Sequence, residues 1–560
     1  METMTQHFVA SVKTSTLLPV LLAATLIGCS GQEPSSAATA TGGTLVISVS
    51  GDPASLLPPL TDDTQGQVIA DLVYDRLAEI GDSLNTVGDS GFQPRLAKTW
   101  TWFPDSLSIA FHIDPAARWH DDKPVTARDV AFTYHLYADT VNGSPFASSL
   151  ANVDSVTAPD SATAVVWFHS RSPMQFYEAV NTMLILPEHA AGSARGPALR
   201  TVSLARAPVG SGRFRFVKWN ASQSIELIAD TANYRGRPSL DRVIMTMAPD
   251  FNGAMTRLLG GEADMIETVP ATALADVSKD TALHVTLSPG LDYNFVQFNL
   301  RRPLFRDREL RRALTMALDR QSIVRSAFDS LSSVAVGPTV RAYPTTDTAS
   351  LRQIPFAVDR ATRILDSLGW KDTNGDGVRE RNGSKLEFSL LVPGSSKTRS
   401  AMSVLIQEQL RKIGVRMNID NADFAGFTAR QGKRDFDALF GGWHVEPSPG
   451  GIRQTWGSAG ARAAGGNNAG SYENPVFDAQ VDSALSAMSL ADRRAHFTRA
   501  YQIIIDDAPA IWFAEPRRVM AIHKRIRTTG LRADAWWANI ADWNIPANER
   551  IARDRAAPLK

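Results

Sequence analysis

The chain has 560 residues, and its 58 lysines and arginines balance 58 aspartates and glutamates, which removes the case for a polyanionic partner such as nucleic acid. A single cysteine excludes an internal disulfide framework. Beyond the amino-terminal segment about 515 residues of ordinary apolar content remain, more than one hydrophobic core usually organises, so two or three domains are expected.

In chain order, Leu17 to Ile27 form a short apolar run after Lys13, too brief to cross a bilayer as a stable helix and shaped like a cleavable export signal. The run ends in Leu26-Ile27-Gly28-Cys29, which looks like a bacterial lipobox. Residues 1–28 read as the signal peptide and Cys29 as the first mature residue, carrying diacylglycerol. Residues 29–42 are rich in Ser, Ala, Thr and Gly, with little to bury, and read as a flexible tether. No later stretch is apolar enough to span a membrane.

The body alternates strands and helices without a repeating period, which points to a mixed α/β protein and away from a solenoid or propeller. Thr44 to Val49 is a β-branched opening strand. Thr126-Ala127-Arg128-Asp129 fits a capping box at the start of a helix through Val130, Phe132 and Leu136, with the threonine hydroxyl accepting from a helix amide. Ser224 to Ala229 and Arg242 to Met247 alternate with period two, placing Ile225 and Leu227, or Val243, Met245 and Met247, on one face. Val358, Ala361, Leu365 and Leu368 line one helix face before Gly369. Met402, Leu405, Ile406, Leu410 and Ile413 line another before Gly414.

Signatures of catalysis are absent: no Gly-x-Ser-x-Gly elbow, no His-Glu-x-x-His helix and no phosphate-cradling P-loop. The chain reads as a non-enzyme without a cofactor, and a secreted hydrolase or transferase is the rival that turnover of a bound peptide or glycoside would reveal. Asp372, Asn374, Asp376 and Gly377 follow the start of an EF-hand-like loop, but its twelfth position is Gly383 and only Glu380 remains as a late oxygen ligand. The segment reads as a polar hairpin turn, and no metal is assigned to it. The ten histidines are scattered; neither His120 nor His444 is paired at ligand spacing.

Several stretches in order resemble the family 5 extracellular solute-binding proteins, the group that contains oligopeptide-, dipeptide- and nickel-binding proteins of ABC importers. They are Gly42-Gly43-Thr44-Leu45 leading to Asp52-Pro53-Ala54-Ser55-Leu56, Pro94-Arg95-Leu96-Ala97 with Trp100, Phe111-His112-Ile113, and Trp119 through Val130. Pro208-Val209-Gly210-Ser211-Gly212, Asn299 through Phe305, Arg311 through Leu314 with Ala317 through Arg320, and Gly375-Asp376-Gly377 follow. Two positions depart from the family pattern: Arg213 stands where proline is usual, and Asp122 where glycine is usual. Most of these segments are turns and caps, so they identify the family without locating a ligand.

The resemblance implies an α/β, two-lobed periplasmic-binding-protein fold of the type II, flytrap kind with an additional inserted domain. By analogy lobe I combines residues 43–84, 205–289 and 515–560, the inserted domain spans 85–204, and lobe II spans 290–514, with a hinge of two strand crossings near Leu291 to Phe298 and Ile511 to Ala514. It implies a receptor on the periplasmic or extracellular side of the cell envelope, anchored to the membrane by lipid and monomeric, that hands peptides or similar small solutes to the permease and ATPase subunits of an importer. Nickel complexes, oligosaccharides and a sensory or chaperone-like role remain open alternatives. The segment Phe436 to Phe440 followed by Gly442-Trp443 resembles the family strand that precedes the ligand-holding residues. Glu446, three residues after Trp443, is the anchor implied for a ligand's amino group; the family's peptide binders carry aspartate there. Gly442, Trp443, His444, Tyr293 in the first crossing strand, and Asp52 and Ala54 in the opening loop are the further implied cleft residues.

Overall fold

The computed structural model describes residues 41–463 and 465–555. Cys29 and the signal and tether segments before residue 41 lie outside the described residues. Among the described residues no helix is long and apolar enough to cross a membrane.

Two mixed sheets organise the body. The first has seven strands in the order Leu283–Ser288, Arg518–His523, Met265–Ile266, Thr44–Val49, Arg242–Met247, Ser224–Ala229 and Phe214–Asn220. Thr44–Val49 runs parallel to both its neighbours and all six of its residues are buried, as the near-continuous apolar pattern of a central parallel strand requires. Ile225, Leu227, Val243, Met245 and Met247 point into the core as their spacing predicts. Glu226, placed on the polar face by the same alternation, is buried too, and it is held there by Arg242 at 3.2 Å and Lys218 at 3.5 Å.

The second sheet has six strands in the order Ser332–Val334, Ala510–Pro516, Asp292–Phe298, Ala438–His444, Glu387–Pro393 and Arg416–Ala422. Helices Val358–Ser367 and Lys397–Arg411 contribute Ala361, Leu365, Met402, Ile406 and Leu410 to its core. Gly369 and Gly414 end these helices with φ of 83° and 78°, the left-handed region that glycine enters freely. Val358 lies outside the core that its spacing suggested, because it starts the helix and is 36% exposed.

A separate four-stranded sheet, Ala97–Trp102, Ser108–Ile113, Thr163–Phe168 and Val153–Thr157, stands between the first and later strands of the seven-stranded sheet in sequence. Helix Ala127–Ala138 packs on it. At its start the Asp129 carboxylate accepts from both the Thr126 N–H, at 2.8 Å, and the Thr126 hydroxyl, at 2.9 Å, so the hydroxyl acts as a donor to the side chain. The chain is a two-lobed α/β fold with an inserted domain.

The two large sheets are joined where two pairs of strands meet end to end. Leu283–Ser288 pairs with Arg518–His523 in the first sheet, and Asp292–Phe298 pairs with Ala510–Pro516 in the second. The crossings are therefore the short segments 289–291 and Arg517. Of the residues expected to form the hinge, Leu291 lies in the first crossing, while Asp292 to Phe298 and Ile511 to Ala514 belong to the second sheet, in which Glu515 and Pro516 still pair with Ser333 and Ser332.

Candidate functional site

Strand Ala438–His444 lies between Asp292–Phe298, to which it is antiparallel, and Glu387–Pro393, to which it is parallel. Its register sets Trp443 opposite Tyr293 and His444 opposite Asp292. Past the strand end the Val445 N–H donates to the Leu291 carbonyl at 2.8 Å, and the Tyr343 hydroxyl donates to the Val445 carbonyl at 3.0 Å. These two bonds hold both backbone groups of Val445, which fixes the direction in which the next residue, Glu446, leaves the sheet.

Glu446 sits at a junction. Together with His444 and Ser448 it lines both a cavity of about 340 Å³ and a second of about 630 Å³. The smaller one runs into the second lobe and has Trp443, Tyr343, Ile452 and Tyr501 among its walls. The larger one is formed by three parts of the chain: the loop after Trp443, the inserted domain through Tyr137, Tyr177 and Glu178, and the first lobe through Asp71, Arg76, Glu79, Arg532, Asp534 and Trp537. Both volumes fall in the range of small-ligand pockets.

The first-lobe wall is an ion-pair ladder. Arg76 meets Asp71 at 2.7 Å and Glu79 at 3.6 Å; Arg532 meets Glu79 at 2.9 Å and Asp534 at 2.7 Å. The Trp537 indole N–H donates to the other Asp71 oxygen at 2.7 Å. Burial alone would raise the pKa of Glu79, but the Arg76 and Arg532 guanidiniums outweigh it and hold the carboxyl below its ordinary range. On the inserted domain, burial raises the pKa of Glu178, opposed by the Asn152 amide that donates to it at 3.1 Å. The Tyr177 hydroxyl is pushed up by burial and then by the charges of Glu446 and Asp534, so carboxylates from the two lobes converge on one ring of the inserted domain.

The residues expected in the cleft divide into those the fold brings together and those it does not. Trp443, His444, Glu446 and Tyr293 line the smaller cavity. Tyr293 is a wall with its hydroxyl already engaged: it is 1% exposed and accepts from the Trp456 indole N–H at 2.9 Å. His444 Nδ1 bonds Asp292 at 3.1 Å, which raises the imidazole pKa against the effect of burial, and its Nε2 lies 3.9 Å from Glu446. Gly442 lines neither cavity. Arg399 passes over it, where a Cβ would come 2.2 Å from Nη2, and the same guanidinium bonds Asn294 at 3.2 Å. Asp52 and Ala54 also line neither cavity. Asp52 accepts from the Trp219 indole and the Ser222 N–H, both at 2.6 Å, and Ala54 N–H donates to Asp63. Their loop is thus held by the far edge of the first sheet.

The ladder residues, Glu178, Tyr177 and Tyr343 escaped sequence reasoning. They come from stretches hundreds of residues apart, and no local motif marks them.

His120 is bound to the backbone through both ring nitrogens, with Gly212 O at 2.9 Å and Gly210 N at 3.2 Å, and burial lowers its pKa. The polar turn places Asp372, Asp376 and Glu380 oxygens within 4.8 Å of one another. Its oxygens are also occupied by the turn itself, Asp372 accepting from the Gly375 and Gly377 amides at 2.8 and 3.0 Å.

Residues 91–463 match the profile of the bacterial extracellular solute-binding proteins, family 5 Middle. The chain is 28% identical over 549 residues to the oligopeptide-binding protein AppA of Bacillus subtilis, covering 94% of this chain and 97% of the relative. The solved structure of that protein with a nonapeptide superposes with a TM-score of 0.68 at 27% identity, over 90% of this chain and 99% of the other. NikZ from Campylobacter jejuni, solved with Ni(L-His), shares the fold with a TM-score of 0.70 at 22% identity, over 90% and 99% of the two chains. Members of this family are solute-binding receptors of importers and not enzymes, and they act outside the cytoplasm. On the profile match and the full-length likeness, the chain belongs to the family 5 bacterial extracellular solute-binding proteins.

Proposed function

We propose that the cleft captures a peptide, or a comparable small solute with a free amino group, and that Glu446 accepts the ammonium. The observation that carries this reading is the position of Glu446 at the junction of both cavities, where its one ion-pair partner among the described residues is His444 at 3.9 Å. A contact that long between a half-exposed imidazole and an exposed carboxylate contributes little, which leaves the carboxylate available. A cleft that closes on an ammonium needs an opposite charge, and leaving either member buried alone costs about 2 to 5 kcal/mol. The oligopeptide-binding relative supports the choice of ligand.

The lobes act as a flytrap. Residues 43–84 and 205–289 with the carboxyl-terminal segment from Arg517 form lobe I, 85–204 the inserted domain and 290–516 lobe II, with the hinge at the two crossings. A ligand touching both lobes stabilises the closed form through contacts the open form lacks, and the permease of the importer, driven by a separate ATPase, reads that closure. The receptor works as a monomer, held to the membrane through a diacylated Cys29. Two or more acyl chains give stable residence where one gives only marginal binding. Cys29→Ser should release the protein into the soluble fraction.

Glu446→Gln tests the anchor. It should weaken binding of a free tripeptide by thirtyfold or so, equivalent to about 2 kcal/mol, while an N-acetylated peptide binds the unaltered protein poorly and the variant no worse. Equal affinity of the unaltered protein for free and acetylated peptides would overturn the assignment and point to an uncharged solute.

A further inference from the structure

The larger cavity carries more negative charge than its own cations offset. Asp71, Glu79, Asp534, Glu178 and Glu446 line it, against the guanidiniums of Arg76 and Arg532 and, when protonated, the His444 imidazole, which is bonded to Asp292. Neither guanidinium is free, because each is shared between two carboxylates of the ladder: Arg76 between Asp71 and Glu79, Arg532 between Glu79 and Asp534. A ligand carboxylate entering here finds no unengaged cation. The ladder keeps one negative charge in excess, and Glu446 and Glu178 add two more from the opposite walls.

Glu178 differs from the ladder acids. It has no cationic partner among the described ion pairs, and its one side-chain donor is the neutral Asn152 amide at 3.1 Å. Burial makes its ionised form costly, as the upward push on its pKa also indicates. When the lobes close, water leaves the walls, and the uncompensated carboxylates become costlier still unless the ligand supplies positive charge. A cavity of about 630 Å³ has room for a ligand that reaches from one wall to the other.

We propose that the cleft selects ligands bearing a second positive charge besides the amino group at Glu446, with Glu178 as the second anchor, so that lysine- and arginine-bearing peptides are preferred over neutral ones. The inference rests on the peptide reading of the cleft given above. The chemistry recognised is a pair of ammonium or guanidinium groups on one flexible chain, which a cationic peptide and a simple diamine share.

Calorimetric titration separates the cases. The probes are Lys-Ala-Ala, Ala-Lys-Ala and Ala-Ala-Lys, the same three peptides acetylated at the lysine side chain, and 1,5-diaminopentane. At least one lysyl peptide should bind about tenfold more tightly than its acetylated counterpart. The margin should shrink between about 0.05 and about 0.5 M NaCl, as screening of a charge contact requires. Glu178→Gln should abolish the margin, with the lysyl peptide binding more weakly and the acetylated peptide no more weakly than to the unaltered protein. If lysyl and acetylated peptides bind the unaltered protein equally at all three positions, the charge preference is wrong while the peptide reading stands. A margin that persists in Glu178→Gln overturns the role of Glu178. If only the diamine binds, selectivity for two cations holds and the peptide reading falls. If no probe binds, both fall.

Discussion

Gly290 and Pro516 touch across the hinge: a Cβ built on Gly290 would lie 1.6 Å from the Pro516 carbonyl oxygen. The two crossings therefore run with their backbones in direct contact, at the point where Ser288 ends one sheet and Asp292 begins the other. Only a residue without a side chain fits. Gly290→Ala must push the crossings apart, and overpacking of this kind costs roughly 1 to 3 kcal/mol. A lower melting temperature and weakened ligand affinity are the expected outcomes. A variant with native stability and affinity would show that the crossings separate freely.

Ligand binding should compact the molecule, since a solute in the junction cavities becomes buried only when the walls contributed by different lobes approach. Small-angle scattering with and without saturating ligand measures this directly. An unchanged radius of gyration would count against closure.

His444 predicts a pH dependence. Its hydrogen bond to Asp292 raises the imidazole pKa, so the stability that this pair contributes is complete below the ordinary histidine range and is lost as pH rises through the raised value. The contribution is small because the His444 side chain is 49% exposed. The same proton matters for binding, because a charged imidazole 3.9 Å from Glu446 competes with a ligand ammonium. Affinity for an amine should rise as His444 deprotonates, and Asp292→Asn should move that step to lower pH. Imidazole NMR titration beside calorimetry at several pH values would check both.

Arg525 closes the first lobe at its carboxyl-terminal end. It meets Asp264 at 2.8 Å and Asp554 at 2.7 Å, and it donates to the Thr44 carbonyl at 2.9 Å, with all three side chains almost wholly buried. Arg525→Met leaves Asp554 buried without its cation and Asp264 with Arg553 alone, and should destabilise the protein by about 3 to 5 kcal/mol. A urea denaturation midpoint close to that of the unaltered protein would refute this.

Asp122 has a φ of 68°, in the left-handed region. Its carboxylate is 91% exposed and 3.9 Å from Arg215, too weak a contact to offset the backbone conformation. Asp122→Gly should leave stability unchanged or raise it by up to about 1 kcal/mol, whereas Asp122→Val should lower it by about 1 to 3 kcal/mol. Thermal melting of the two variants distinguishes the signs.

Local patterns were legible from the chain alone. Thr44–Val49 forms a strand as its β-branched residues imply, Ser224–Ala229 and Arg242–Met247 form strands with the bounds their alternation implies, and Gly369 and Gly414 end helices where the apolar stripes stop. Such features depend on neighbours a few residues apart, whose spacing is written in the sequence. The ordered resemblance along the chain likewise led to the family and to the strand carrying Trp443, with Glu446 just past its end. The walls opposite Glu446 were not legible. Arg532 reaches Glu79 across a separation of 453 residues, and Glu178 approaches the same cavity from the inserted domain while Asp71 does so from the first lobe. Asp52 and Ala54 looked like cleft residues by analogy, yet Trp219 and Ser222 hold Asp52 at the far edge of the sheet. Which carboxylates share a cavity, and which already have a cation, depends on distances of a few ångströms between remote segments, and only folding sets those distances.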